Sequence, residues 1–208
     1  MFDSIVHMIA AATPLAAGCT LWVVWAISWA VAAFWAKPAA AAPSWAEEMK
    51  HRLPTLVGYG LIGLSARLLL SGHHIAVTWP LWPVDPALGW FLLACQLAGF
   101  AFMWWARIHL GTLWSSSVTR KDGHRVVDTG PYRLVRHPIY TGILLSTLAL
   151  VMEMATPAAL AGLVLAVIGF WLKARLEERF LGRELAGADY DTYRRRTPML
   201  LPFWPSSG

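Results

Sequence analysis

Apolar stretches recur along this chain at about residues 16–36, 53–71, 88–106, 139–152 and 158–172, and the segments between and after them hold nearly all of its charge. A helix rises about 1.5 Å per residue, so about 20 apolar residues in a row cross a hydrocarbon core of about 30 Å. The first stretch, with Trp22, Trp25, Trp29 and Trp35, is long enough to do so. Charged residues make up 14% of the 208 and hydrophobic ones 57%. A soluble domain carries about 25% charged residues, and a disordered chain far fewer apolar ones, so both classes are excluded. The expectation is an all-α, polytopic integral membrane bundle of about five transmembrane helices, forming one domain over residues 1–208.

The remaining stretches differ in kind. The second is interrupted only by Arg67, close enough to one end to snorkel. His73, His74, Trp79, Pro80, Trp82 and Pro83 then form a turn-rich, aromatic segment suited to a membrane interface. The fourth stretch is short for a full crossing, and Pro157 suits the first position of the helix after it. A tight hairpin of two tilted or partly buried helices is expected there. Cys19 and Cys95 both lie in apolar stretches and show neither a disulfide framework nor metal-ligand spacing. No Lys or Arg precedes Lys37, so the charged start of a cleavable signal peptide is missing and the first stretch is expected to remain as a span.

Positive charge orients the bundle. Of 17 Lys and Arg, three lie between the first two stretches (Lys37, Lys50, Arg52), six between the third and fourth, and seven after the fifth. Arg67 is the remaining one, and the other two connections carry none. Short cytoplasmic loops collect Lys and Arg, which places the N-terminus outside and the C-terminus in the cytoplasm. The same bias explains the basic cluster Arg194, Arg195 and Arg196 as orientation and anionic-lipid contact, with no nucleic-acid partner.

The polar chemistry converges on that cytoplasmic side. Gly130-Pro131 marks a turn, and Pro138 disfavours helix at His137, which should hold a fixed, non-helical entry to the fourth span. Read alone, His137 is equally an interfacial histidine satisfied by a carbonyl. Glu177 and Glu178 adjoin on a helix expected to continue out of the membrane. They point about 100° apart, so no shared acid/base pair is implied. With Arg175 and Arg179 nearby, read alone they suit a solvated face with local ion pairs. Tyr132, Tyr140, Tyr190 and Tyr193 suit interfacial anchoring. His73 and His74 have no partner at metal spacing.

Taken together, the run Gly130-Pro131-Tyr132-Arg133-x-x-Arg136-His137-Pro138-x-Tyr140-x-Gly142 and the later Glu177-Glu178 pair resemble the isoprenylcysteine carboxyl methyltransferases and related phospholipid methyltransferases. Leu110-Gly111-x-x-Trp114-Ser115 and Tyr190-x-x-Tyr193 with Pro198 extend the resemblance from the third span to about residue 202. The resemblance implies an integral membrane methyltransferase using S-adenosyl-L-methionine, with a cytoplasmic cofactor site built by the C-terminal half over residues 107–202. By the same resemblance His137, Tyr140, Gly142, Glu177, Glu178 and Arg179 would bind the cofactor. Arg136, Arg175 and Glu178 would act in catalysis, the arginines by forking onto a carboxylate of cofactor or acceptor. The acceptor would be lipidic or isoprenoid-bearing and enter between spans. A carboxylate acceptor is already nucleophilic, whereas an amine needs a base such as His137 or a glutamate. Five spans and a short tail resemble the compact prokaryotic members, which implies a bacterial inner membrane.

Two other readings share these residues. Membrane sterol reductases using NADPH have a similar Arg-His-Pro-x-Tyr core, but with asparagine before the tyrosine where this chain has Ile139, and the glutamate pair favours methyl transfer. A non-catalytic membrane protein that keeps the fold is the third reading.

Overall fold

The computed structural model describes residues 13–34, 43–111, 114, 127–184 and 188–203. These residues form helices α1 (Pro14–Ala33), α2 (Trp45–Leu70), α3 (Pro86–Leu110), α4 (Pro138–Met154), α5 (Pro157–Glu184) and α6 (Ala188–Arg196), with 3-10 turns at Ala76–Thr78 and Gly130–Arg133. Among the described residues there is no strand. Four helices, α1, α2, α3 and α5, are long and apolar enough to cross a membrane. α4 is apolar but has 17 residues, about 25 Å of helix, so it falls short of a straight crossing. Ser115, Lys37 and most of the loop that supplies Arg120, Lys121 and Arg125 lie outside the described residues.

Local sequence sets the helix ends. α1, α3, α4 and α5 each open on a proline, whose fixed φ and missing N–H suit a first turn. α2 starts eight residues before the apolar stretch that marks it, because Ser44 and Glu47 form a reciprocal capping box. Hydropathy alone places that start at 53, since Glu47, Glu48, Lys50 and Arg52 dilute the first turns. α5 likewise runs twelve residues past its apolar stretch as the expected charged extension.

Two antiparallel pairs dominate the packing, α2 with α5 and α3 with α4, while α1 lies against α3 and α4. Glycines bring each pair close. A Cβ on Gly58 would sit 2.6 Å from the Gly162 carbonyl, and one on Gly99 would sit 2.6 Å from the Gly142 carbonyl. Small residues let backbones approach where lipid gives no hydrophobic drive for association. The core between the pairs holds Phe100, Met103, Tyr140, Ile143, Phe170 and Ala174, with Trp22, Trp25 and Tyr59 packed on it. In this arrangement the start of α2, the end of α3, the start of α4 and the end of α5 share one end of the bundle.

Candidate active site

The turn before α4 is built first. Gly130 has φ 57°, and a Cβ there would meet the His109 ring at 2.8 Å. His109 stacks on Tyr132 and bonds Thr129 Oγ1 at 2.9 Å. The chain then extends through His137 (φ −123°, ψ 63°), the non-helical conformation that Pro138 demands.

The tail closes over this turn like a strap. Arg136 N–H donates to the Pro198 carbonyl at 2.8 Å, His137 N–H to Met199 at 3.1 Å, and Thr141 Oγ1 to Leu200 at 2.6 Å. Tyr193 donates to the Tyr132 carbonyl at 2.8 Å. The buried Arg136 guanidinium donates through Nη1 to the carbonyls of Arg194 and Thr197 and through Nε to Glu178 Oε1 at 2.7 Å. Tail, turn and α5 are thus joined through one side chain.

His137 sits between the two glutamates. Its Nδ1 lies 3.3 Å from Glu177 Oε2 and its Nε2 lies 3.2 Å from Glu178 Oε1. The 100° between successive helix positions makes this possible: each carboxylate approaches a different ring nitrogen. Tyr140 stacks on the imidazole, with centroids 5.4 Å apart and planes 5° from parallel, and donates its hydroxyl to Glu177. Phe170 packs 5.2 Å from the Tyr140 ring. Burial alone would lower the His137 pKa, but hydrogen bonds to Glu177 and Glu178 outweigh it and the pKa is raised. The ring is held as a cation with both nitrogens donating.

Arg136, His137, Tyr140, Glu177 and Glu178 therefore meet at one point. Arg175, Arg179 and Gly142 do not join them. Arg175 is exposed, its guanidinium 5.2 Å from the Trp171 ring. Arg179 is exposed beside a shallow depression lined by Pro43, Glu47, Leu176 and Phe180. Gly142 lies in the α3–α4 crossing, where Gly99 and Met103 occupy the space a side chain would need.

Two further participants were not expected at the site from the sequence, which reads Arg194 as part of a basic cluster serving orientation and lipid contact. Arg194 Nε is buried, makes no hydrogen bond among the described residues, and lies 3.7 Å from Glu178 Oε2. Lys173 Nζ lies 5.3 Å from the Tyr140 ring centroid. Its position was readable in principle, since Lys173 and Glu177 are four apart on one helix face.

Residues 92–182, which supply α4 and nearly all of α5, match the model of the isoprenylcysteine carboxyl methyltransferase family. Over this segment the chain is similar to that family. A probable protein-S-isoprenylcysteine O-methyltransferase of Oryza sativa subsp. indica is 30% identical over 53% of this chain and 53% of its own length. Methanethiol S-methyltransferase 2 of Bradyrhizobium diazoefficiens is 32% identical over 69% of this chain and 58% of its own length. The nickel-cobalt-cadmium resistance protein NccN of Alcaligenes xylosoxydans xylosoxydans is 27% identical over 80% of this chain and 72% of its own length. The chain spans about half the length of the plant relatives it matches. Four apolar helices long enough to span, together with this similarity, make it an integral membrane protein.

Proposed function

We propose that the protein transfers a methyl group from S-adenosyl-L-methionine to a lipidic or isoprenoid-bearing acceptor at the cytoplasmic membrane face. The observation that carries this reading is His137 held between Glu177 and Glu178 and stacked by Tyr140, at the bundle end where loop, tail and α5 converge.

The donor set suits the cofactor. S-adenosylmethionine presents an ammonium, a carboxylate, ribose hydroxyls, a flat adenine and a sulfonium. Two carboxylates match the ammonium and hydroxyls, and the His137–Tyr140 stack offers a flat face. The buried Arg194 Nε, without a hydrogen-bond partner among the described residues, matches a ligand carboxylate. When bound, the cofactor supplies a methyl carbon made electrophilic by its positive sulfur.

The protein's part is geometric. Arg136 and His137 fix the carboxylates, and the tail fixes Arg136. Tyr140 and Phe170 form an apolar wall that excludes water. Holding the acceptor at about 3 to 3.5 Å from the reacting carbon lowers the barrier by removing the entropy cost of encounter. Relatives named for isoprenylcysteine O-methyl transfer and for methanethiol S-methyl transfer support methyl transfer with acceptors of differing head chemistry.

The test is transfer of radiolabelled methyl from S-adenosylmethionine to extracted lipids and to an S-prenylated N-acetylcysteine. His137→Ala and Glu178→Gln should lower transfer by about 100-fold, the cost of a misplaced reactant, while Arg179→Ala stays within about twofold. Full transfer by either of the first two variants overturns the assignment.

A further inference from the structure

A methyl acceptor with a proton to lose needs a base, and His137 cannot be that base here, because its two ring nitrogens each face a glutamate. The structure holds a second buried imidazole beside the same cluster. His51 of α2 is 5% exposed, and its Nε2 makes no hydrogen bond among the described residues. Glu48 Oε2 lies 3.7 Å from that nitrogen, beyond hydrogen-bond range.

The α2–α5 crossing fixes where His51 lies. A Cβ on Gly58 would meet Gly162 and Ala166, and one on Gly169 would meet the His51 carbonyl and Thr55. The helices are therefore antiparallel, and one more turn brings Glu48 toward Lys173. Lys173 in turn stands over the Tyr140 ring. The charged groups within electrostatic reach of His51 are Glu48 and Arg52 on its own helix and Lys173 and Glu177 on α5. His51 also precedes residues 92–182, so it lies outside the segment matched to the family.

We propose that His51 accepts the proton of a thiol that serves as methyl acceptor, bound beside His51, Lys173 and Tyr140 at the end of the bundle that holds the polar cluster. The inference rests on the methyltransferase reading above. A thiol is favoured because its proton, with an ordinary pKa of about 8.5, lies within reach of an imidazole base, and the Lys173 side chain beside the site offsets the charge of a developing thiolate against Glu48 and Glu177. In the step, the S–H bond breaks and the proton passes to His51 Nε2. The sulfur electron pair forms the new bond to the methyl carbon. The carbon's former bond breaks with its electron pair remaining on the donor sulfur, which becomes neutral, and His51 then returns its proton to water.

The test uses the full chain in lipid nanodiscs with 1-hexanethiol and its methylated counterpart, methyl hexyl sulfide, which lacks the proton. Without cofactor, tryptophan quenching should show the thiol binding about tenfold tighter than the sulfide, the worth of one buried hydrogen bond. His51→Phe should erase that preference. With cofactor, thiol methylation by His51→Phe should fall about 100-fold at pH 7 and recover as pH rises and free thiolate forms. His51→Gln, which keeps a polar side chain, should show the same altered pH profile, with S-adenosylmethionine affinity within about twofold of the parent. Variants that keep the parental preference and pH profile overturn the proposal. So do variants that lose cofactor affinity together with thiol transfer, which marks His51 as structural. A parent protein that methylates the prenylated carboxylate but not the thiol overturns this inference and leaves the methyltransferase reading standing. A parent that binds no cofactor overturns both.

Discussion

His137 is a buried cation whose charge is compensated on both sides, and that has a consequence for pH. Its folded pKa is raised above the ordinary value of 6.5 despite burial, through Glu177 and Glu178. The stability it contributes is fully present below about pH 6.5 and is lost as pH rises through the raised value. Thermal unfolding of the parent should therefore lose stability relative to His137→Gln on going from pH 6 to strongly alkaline buffer. A parent-to-variant difference constant across that range contradicts the ion-pair assignment. Glu178 is the more sensitive partner, since its Oε1 serves both Arg136 Nε and His137 Nε2. Glu178→Gln leaves two buried cations short of a counter-charge and should cost about 3 kcal/mol, by analogy with broken buried pairs. Arg175→Ala, at an exposed position, should stay within about 0.5 kcal/mol, and unfolding midpoints in one detergent compare the two.

At the scale of the element, glycine crossings decide how the site is framed. Gly142→Val would place side-chain atoms against the Gly99 carbonyl and the backbone and Cβ of Met103. Overpacking of this kind costs about 1 to 3 kcal/mol. Gly60→Ala, where no atom lies within 4 Å of the added carbon, should be neutral or stabilising by about 0.5 kcal/mol. Unfolding midpoints separate the two, and equal effects would contradict the crossing. The helices themselves were legible because apolar length and N1 prolines are local signals. The start of α2 was not, because its capping box lies in a charged segment that hydropathy discounts. The motif residues Arg136, His137, Tyr140, Glu177 and Glu178 were legible as a set, although which atoms meet depends on the angle between α4 and α5. Gly142 belongs to the same sequence run, yet the structure puts it in the helix crossing rather than beside His137. His51 and Glu48 carried no local signal, since their neighbours Lys173 and Glu177 come from a helix far along the chain.

Over the whole molecule, the polar cluster and the tail strap occupy one end of the bundle, and the segment with His73, Trp79 and Trp82 follows the opposite end of α2. Positive charge predicts that the site end faces the cytoplasm. With Cys19 and Cys95 replaced by serine, Lys50→Cys should resist an impermeant thiol reagent applied outside intact cells, while His73→Cys should be labelled; both positions are exposed. The reverse pattern contradicts the orientation. The most direct measurement of the central claim is calorimetric titration of S-adenosylmethionine, with NADPH as comparator, into the detergent-purified parent and the His137→Ala, Glu177→Ala double variant. The account predicts selective binding of S-adenosylmethionine to the parent and its loss in the variant, whereas binding of NADPH alone, or undiminished binding by a folded double variant, would contradict it.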